Sequence, residues 1–235
     1  MINKIIIAID GHSSTGKSTL AKMVAKELKY KHINTGAMYR ALTLHALRHN
    51  WITDASEDIE AINVKKMIKS IDELELDFRL DQDTHYVMYM NNENVDFEIK
   101  KPIVSKYVST VSSYPLIRKK IVKIQQNIGK SKGVVMEGRD IGSVVFPDAE
   151  LKLFITASIE VRAKRRHEEL LNLGIKSHFS DILDNLKMRD FSDTHRKNSP
   201  LTCVDDAVLI DNTSLNIDEQ FELVTSLIRK KINFL

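Results

Sequence analysis

The stretch from Gly11 to Ser18 has the most specific chemical pattern in this sequence. Its residues, GHSSTGKS, fit G-x-x-x-x-G-K-[ST], the P-loop. Glycines in such a loop let consecutive backbone N–H groups turn towards phosphate oxygens, and the helix that follows points its positive end at them. Lys17 would place a charge on a transferred phosphoryl group, and Ser18 would bind Mg²⁺ through its hydroxyl. The pattern predicts binding of a nucleoside triphosphate, with Lys17 facing solvent as a loop residue.

Four further polar clusters contain residue types suited to phosphate chemistry. Two of them, Thr35–Arg40 and Glu137–Asp140, come just after apparent strands. The carboxyl ends of parallel strands form the ligand crevice of an open sheet, so Arg40 and Arg139 are expected to face the same crevice as Lys17. The four clusters are NTGAMYR (34–40), VSTVSSYPLIR (108–118), EGRDIG (137–142) and RDFSDTHR (189–196).

Arginine is used selectively along the chain. The sequence has 24 lysines but only 11 arginines, and six of the arginines fall between Arg139 and Arg196. A planar guanidinium binds phosphate or carboxylate through two parallel hydrogen bonds, which an ammonium cannot do. This concentration of arginine favours an anionic ligand, although a solvated helix face would give the same count.

The composition is typical of one globular α/β protein. The chain has 235 residues, 43% of them hydrophobic, a net charge of +3 and no block of like charges that would indicate a nucleic-acid-binding arm. A single cysteine, Cys203, excludes an internal disulfide framework. The N-terminal apolar run is too short for a signal peptide, and no run approaches the roughly 20 residues of a membrane span. We therefore expect a cytoplasmic protein that binds neither nucleic acid nor membrane.

Hydrophobic periodicity predicts strands that alternate with helices. Such an alternation implies an α/β fold with a parallel sheet flanked by helices. Strands are predicted at 5–9, 133–138, 150–157 and 207–213, and helices after the P-loop, at 37–47, from Pro115 to Gly129, and after Asn216.

Two segments interrupt the alternation. Residues 76–97 are predicted to form a hairpin with polar turns at DQDT (81–84) and NNEN (91–94). Residues 174–200 are polar and mixed, with one short helical pattern at Ile182, Leu183 and Leu186, which is typical of a mobile flap. The sequence therefore predicts one domain with two insertions.

These motifs together resemble those of bacterial cytidylate kinases, a family of nucleoside monophosphate kinases, over nearly the whole chain. The resemblance rests on the P-loop, TGAMYR (35–40), GRDIGSVVFPDA (138–149) and R-D-x-x-D-x-x-R (189–196). It implies a monomer with a five-stranded parallel sheet that transfers a phosphoryl group from ATP to CMP or dCMP with Mg²⁺. Glu137 and Asn34 stand where an Asp is common in the family.

The resemblance also implies a division of the chain into segments with different roles. Residues 1–66, 131–168 and 201–235 would form the core, residues 67–130 a CMP-binding insertion, and residues 169–200 a lid.

Site residues follow from the resemblance, motif by motif. Lys17, Arg139 and Arg189 would be catalytic, and Ser18 would bind the metal. Arg40 and Arg139 would hold the CMP phosphate, Arg189 and Asp193 the ribose, and Arg118, Asp140 and Ser109 the base. The full ATP set is Gly11, His12, Ser13, Ser14, Thr15, Gly16, Lys17, Ser18, Thr19, Arg162, Arg165 and Arg166, and the full CMP set is Thr35, Arg40, Ser109, Arg118, Arg139, Asp140, Arg189, Asp193 and Arg196.

Two other functions remain open at this stage. One is a P-loop kinase for a different monophosphate or for a sugar-like alcohol, and an alcohol would require a carboxylate base such as Asp140. The other is a nucleotide sensor whose hydrolysis drives partner binding, although the chain lacks the guanine-reading N-K-x-D motif. Production of ADP that depends on CMP would separate a CMP kinase from both of these alternatives.

Overall fold

The computed structural model describes residues 4–52, 62–82 and 85–233. The chain forms two compact units. The first, which we call the sheet unit, contains the segments before residue 33 and after residue 130; the second, the inserted unit, contains residues 33–130. The roles predicted for individual segments stay predictions, because a division into compact units does not test them.

Strands and helices alternate for most of the length of the sheet unit, whereas the inserted unit groups them. They are β1 (Ile6–Gly11), α1 (Lys17–Leu28), β2 (Lys31–Asn34), α2 (Thr35–Arg48), α3 (Val64–Ser70), β3 (Leu76–Leu80), β4 (Tyr86–Met90), β5 (Glu93–Asn94), a 3-10 turn (Glu98–Lys100), α4 (Pro102–Ser113), α5 (Pro115–Gly129), β6 (Val134–Gly138), a π-helical turn (Ile141–Val145), β7 (Leu151–Thr156), α6 (Ile159–Asn172), α7 (Phe179–His195), β8 (Val208–Asp211) and α8 (Ile217–Asn233).

A five-stranded sheet has the strand order β2-β6-β1-β7-β8. Strand β1 pairs in parallel with both β6 and β7, and β7 pairs in parallel with β8. In this register Asp10 lies beside Gly138 and Gly11 beside Ile155. The P-loop therefore leaves the sheet at the same edge as the EGRDIG cluster, and the predicted α/β fold is confirmed.

The core of the sheet unit comes from alternating strand residues and one face of two helices. Ile5, Ile7 and Ile9 are fully buried and pack in one cluster with Leu20 of α1 and Val224 of α8. Helix α8, predicted to follow Asn216, begins with a reciprocal cap. The backbone N–H of Asn216 donates to Glu219 Oε2 at 2.8 Å, and that of Glu219 donates to Asn216 Oδ1 at 2.9 Å.

The inserted unit has an apolar core of its own, built from α2, α4, α5 and the hairpin. Strands β3 and β4 are antiparallel, with Leu76 opposite Met90, so the predicted hairpin is confirmed. Two residues of its DQDT turn, 83 and 84, lie outside the described residues. Trp51 is partly buried against this core. The predicted helix from Pro115 to Gly129 has the same bounds in α5.

The segment expected to be a flap with one short helical pattern is mostly a regular helix. Helix α7 runs for 17 residues from Phe179 to His195. Ile182 and Leu186 bury against Leu170 of α6. The predicted helical pattern lies within α7, but the helix is longer than that pattern, because its other turns carry charged and polar residues and the exposed Met188 and Phe191, which follow no apolar period. Among the described residues no helix is long and apolar enough to span a membrane.

Candidate active site

Side chains donate hydrogen bonds to three backbone carbonyl groups of the P-loop. Nη1 of Arg162 donates to the carbonyl of Ser13 at 3.4 Å, and Nδ2 of Asn212 donates to the carbonyl of Thr15 at 2.7 Å. The hydroxyl of Thr15 donates to the carbonyl of His12 at 3.1 Å. The C=O and N–H of one trans peptide point in opposite directions, so the N–H groups that follow these carbonyls face away from the donors. This is the arrangement that a phosphate-binding loop requires.

Two positions in the loop require glycine. Gly11 has φ +146°, and a Cβ there would lie 2.0 Å from the carbonyl oxygen of Ile155. Gly16 has φ +87° and precedes the first residue of α1, so no side chain caps this helix. The backbone dipoles of the first turn are therefore directed at the loop.

Lys17 is buried, with 5% of its surface exposed, which corrects the expectation that it faces solvent. Its Nζ donates to the carbonyl of His12 at 2.5 Å and to the hydroxyl of Thr15 at 3.2 Å. Burial, reinforced by the positive charge of Arg139, lowers the pKa of Lys17 to about 7. An anion bound beside it would favour the charged form.

Ser18, the residue predicted to bind the metal, forms a hydrogen bond with the carboxylate of Glu137. Ser18 Oγ, in the first turn of α1, donates to Glu137 Oε2 at 2.7 Å. Glu137 belongs to β6 and is 3% exposed. Its other oxygen, Oε1, lies 2.9 Å from Nε2 of His32. Thr19, the last residue of the predicted ATP set on α1, is exposed.

Asp10, at the end of β1, anchors the turn that follows the G-R-D motif. Its Oδ1 accepts a hydrogen bond from the backbone N–H of Ile141 at 2.9 Å, and Oδ2 accepts one from Gly142 at 2.8 Å. Burial outweighs these bonds and raises the pKa of Asp10 to about 6. Asp140, which directly precedes the turn, is itself buried and adds to this rise.

Two of the predicted CMP-binding arginines donate to one carboxylate, and a third, Arg189, lies near them. Arg139 Nε donates to Asp193 Oδ2 at 2.7 Å, and Arg196 Nη1 donates to Asp193 Oδ1 at 3.4 Å. Arg189 is close enough for the charge of Arg139 to act on it; burial and this like charge lower its pKa to about 10. Its Nε is buried without a hydrogen-bond partner among the residues that the structure describes. Positive charge exceeds negative charge here, which suits an anionic ligand.

Arg162 connects the P-loop with α7. Besides the carbonyl of Ser13, it contacts the carbonyl of Ala157 at 3.0 Å and Asp190 Oδ2 at 2.6 Å. His12 Nδ1 lies 3.2 Å from the other carboxylate oxygen of Asp190. Arg162 was predicted to lie near ATP, and the structure shows it buried behind the loop as a support.

Arg165 supports the loop one turn later on α6. It donates to the side-chain and backbone oxygens of Asn212 at 3.0 and 3.1 Å and to the carbonyl of Thr15 at 3.3 Å. Asn212 also donates to Gln220 Oε1 at 2.7 Å, inside the unit. Arg166, the third arginine predicted for ATP, pairs with Glu169 at 2.7 Å on the same helix.

In the inserted unit, Arg118 is buried. It is 3% exposed, donates to the carbonyl of Ser112 at 3.1 Å and lies 5.4 Å from the ring centre of Tyr39. Arg118 therefore does not lie on the exposed side of α5. A buried guanidinium is a group that a folded protein retains only with defined partners.

The other predicted CMP residues of the inserted unit lie on α2 and α4. Arg40 Nη1 donates to Ser105 Oγ at 2.8 Å and to the carbonyl of Ile99 at 3.3 Å. Thr35 is the buried first residue of α2, and Ser109 is half-buried on α4. Their contacts with a ligand stay predictions.

The sheet unit thus brings together the P-loop, Arg139, Asp140, Arg189, Asp193 and Arg196, and three supporting residues that motif analysis missed. Asp190 lies inside the RDFSDTHR cluster, and Asn212 follows the carboxyl end of β8, where a ligand crevice is expected. His32 carries no sequence signal, since a histidine in a short strand is ordinary. Among the described residues no group of three or more His, Cys, Asp or Glu side chains could hold a metal.

Comparison with known proteins identifies the family. The family model described as cytidylate kinase matches residues 7–230. The chain belongs to the cytidylate kinase family. It is 48% identical to the cytidylate kinase of Parabacteroides distasonis over 93% of this chain and 94% of that one, and 47% identical to the cytidylate kinase of Flavobacterium johnsoniae over 97% of both.

Membership of the cytidylate kinase family makes the chain a phosphotransferase with a P-loop. Among solved structures, shikimate kinase from Bacteroides thetaiotaomicron has a TM-score of 0.48 and 9% identity over 97% of this chain and 99% of that one. This likeness is too low to bear on the substrate.

Proposed function

We propose that the chain transfers the γ-phosphoryl group of ATP to CMP, and also to dCMP, giving ADP and the diphosphate. The match of the cytidylate kinase model to residues 7–230 carries this proposal. It is supported by a P-loop in which the carbonyls of His12, Ser13 and Thr15 accept hydrogen bonds from side chains, and by the arginines around Asp193. No observation favours an alcohol acceptor or a nucleotide sensor.

The chemistry needs no general base. A phosphate oxygen of CMP is already an anion near neutral pH and attacks the γ-phosphorus directly, while the bond to the β–γ bridging oxygen breaks and ADP leaves with that electron pair. The protein must hold two mutually repelling phosphates in line. We assign this work to Lys17, Arg139 and Arg189, whose positive charges lie within the sheet unit.

Each of these three cations contributes in a different way. Lys17 begins α1 and would contact the transferred group, where bound phosphate keeps its ammonium charged. Burial alone would lower the pKa of Arg139, but the carboxylates of Asp193, Glu137 and Asp10 raise it by more. The guanidinium of Arg139 therefore stays cationic. Arg189 has a pKa of about 10 and keeps its charge at neutral pH. Both guanidiniums would stabilise charge on the phosphates.

The metal proposed for this reaction is Mg²⁺. Mg²⁺ takes oxygen ligands, keeps several waters and uses one or two protein oxygens together with substrate phosphates. The Ser18 hydroxyl with the Glu137 carboxylate 2.7 Å away fits that donor set. We propose that Ser18 binds the ion and that Glu137 lies in its immediate surroundings. When bound, the ion would neutralise charge on the ATP phosphates.

We assign CMP recognition residue by residue from the family motifs. In the sheet unit, Arg139 and Arg196 would bind phosphate, Arg189 and Asp193 the ribose, and Asp140 the cytosine amine. In the inserted unit, Arg40 and Thr35 would bind phosphate, and Arg118 and Ser109 the base. A guanidinium donates to N3 and O2 of cytosine but meets an N–H at N3 of uracil, so buried Arg118 would favour CMP over UMP.

A panel of nucleoside monophosphates with Mg·ATP tests the function. We expect ADP production that depends on CMP or dCMP and that is weak with UMP, AMP and GMP. Equal ADP production without any monophosphate would indicate a sensor, and turnover with another acceptor alone would contradict the assignment of CMP.

Replacing Arg118 by methionine tests base recognition. A site built around buried polar groups rejects a mismatched partner by as much as ~10⁴-fold, because those groups are left unpaired. The Arg118→Met variant should lose most of its preference for CMP over UMP, mainly through poorer use of CMP. An unchanged ratio of kcat/KM values for CMP and UMP would show that Arg118 only stabilises the inserted unit.

A further inference from the structure

Glu137 lies between a hydroxyl and a buried histidine. Oε2 accepts the hydrogen bond of Ser18 Oγ at 2.7 Å, and Oε1 lies 2.9 Å from Nε2 of His32. His32 is on β2 and Glu137 on β6, which are neighbours in the sheet, and both side chains are 4% exposed. His32 therefore contacts the oxygen of Glu137 that does not bind Ser18.

The contact between His32 and Glu137 has one donor and one acceptor, with Nε2 and Oε1 at the hydrogen-bond distance of 2.9 Å. A carboxylate only accepts hydrogen bonds, so Nε2 of His32 donates.

The second ring nitrogen of His32 shows what the ring is used for. Nδ1 is buried and has no hydrogen-bond partner among the described residues. The polar contact of this buried imidazole is thus directed at one carboxylate, Glu137. A leucine would fill the same space in the sheet without an unpaired nitrogen, so packing alone does not account for a histidine here.

We propose that His32 is a positioning residue for the metal site, an inference that rests on the proposed function. It holds the carboxylate of Glu137 so that Oε2 is presented beside the hydroxyl of Ser18. A glutamate has three rotatable bonds, and the bond from His32 restricts them before any ion arrives, which lowers the entropy lost on binding. Removing a hydrogen-bond partner of a metal ligand, the place that Glu137 has beside Ser18, typically changes metal affinity about 10–100-fold, and His32 acts through Glu137.

Three variants separate positioning from packing. His32→Leu removes the donor and keeps apolar bulk, whereas His32→Gln restores an N–H at a similar distance from the backbone. His167→Leu is the matched control in the same unit, because His167 also has a buried Nδ1 without a partner among the described residues, and its ring packs on Phe179 of the lid segment. Circular dichroism establishes that each variant is folded.

The decisive measurement is the dissociation constant of Mg·ATP beside that of ATP in EDTA, by calorimetry at one pH. We expect His32→Leu to weaken Mg·ATP binding by ~10-fold or more without changing the binding of ATP in EDTA. His32→Gln should restore most of the loss, and His167→Leu should change neither value. Equal changes for both ligands, no change, or no rescue by glutamine would overturn the proposal.

Two further outcomes separate this inference from the proposed function. A wild-type protein that binds ATP equally with and without Mg²⁺ overturns both, whereas a wild-type preference for Mg·ATP that His32→Leu retains overturns only the role of His32. If His32→Leu does not fold, ¹⁵N-labelled histidine in the wild type provides the test. Adding Mg²⁺ to the ATP complex should shift the ring nitrogens of His32 and not those of His167; unshifted His32 resonances would overturn the proposal.

Discussion

The structure of the P-loop can be predicted from sequence much better than that of residues 169–200, the segment predicted to be a lid and called the lid segment here. In the loop, φ values of +146° and +87° and the close approach of Ile155 force glycine at two positions, so the structure leaves a fixed pattern in the sequence. In the lid segment a 17-residue helix is held by pairs of charged side chains such as Arg162 with Asp190, and many pairings would serve equally well. A site formed by backbone groups can be predicted from sequence motifs. The pairing of side chains that forms the other kind of site is known only from the three-dimensional structure.

The two regions are also joined, because Arg162 bonds both the loop carbonyl of Ser13 and Asp190 of α7. Single substitutions in the loop or in α7 can therefore separate the two regions, and substitution of Arg162 tests the connection between them.

Replacing Lys17 should have the largest effect. Lys17→Met keeps much of the buried volume but removes the charge from the transferred phosphoryl group, and losing one such contact typically lowers kcat by ~10²–10³. Lys152 is a matched control, since it is a second buried lysine of the sheet unit, paired with Asp206 at 2.7 Å. Lys152→Met should lower stability and leave kcat nearly unchanged. A folded Lys17→Met protein with wild-type kcat would exclude the P-loop mechanism.

Breaking the connection between loop and lid should cost stability first. Arg162→Met leaves the partly buried Asp190 without its guanidinium partner and the carbonyl of Ser13 without its donor, and leaving such groups unpaired typically lowers the free energy of unfolding by about 1–3 kcal/mol. Arg166→Met, on the same helix, removes a pair with the half-exposed Glu169 and should cost about 0–1 kcal/mol. Urea unfolding followed by circular dichroism measures both. Equal losses would mean that the connection contributes nothing specific.

The carboxyl group of Asp10 gives a pH dependence. Its pKa is about 6 in the folded protein and 3.8 in the reference state, so between these values the folded state binds more protons than the unfolded state. Its contribution therefore falls as pH rises through this window, by about 2–3 kcal/mol in total. Asp10→Asn should flatten that part of the curve of unfolding free energy against pH. Parallel curves for the two proteins would contradict the assignment.

Replacing Asp193 of α7, proposed to bind the ribose, should have the smallest effect. If Asp193 accepts a hydrogen bond from the 2′-hydroxyl, Asp193→Ala should lower kcat/KM for CMP ~10-fold more than for dCMP. Both substrates should also share a common loss, because Arg139 and Arg196 lose their partner. Asp190→Ala, on the same helix, should affect both substrates alike. If Asp193→Ala lowers kcat/KM equally for CMP and dCMP, the carboxylate of Asp193 only positions Arg139 and Arg196 and does not bind the sugar.

Local signals explain which parts of the fold could be predicted from sequence. Proline at the first position and glycine at the last fixed both ends of α5, and the reciprocal cap between Asn216 and Glu219 marked the start of α8. These signals act within a few residues. They need no knowledge of the rest of the chain.

The missed site residues depend on partners far away in the chain. His32 and Glu137 are 105 positions apart, and Asn212 and Thr15 are 197 apart. The burial of Lys17 was missed for a different reason: its partners His12 and Thr15 are close in sequence, but their position depends on how the loop folds back on its own carbonyls. The lid helix was underestimated because only a few of its residues are apolar, while its charged residues pair with side chains on other elements.

The apolar clusters described above each lie within one unit, and this has a consequence for folding. A protein with one core opens as one cooperative body, whereas separate cores allow subglobal opening with its own free energy. The only tryptophan, Trp51, packs against the core of the inserted unit. Tryptophan fluorescence therefore reports the melting of the inserted unit alone, and amide hydrogen exchange should resolve two levels of protection where a single fluorescence transition would suggest one.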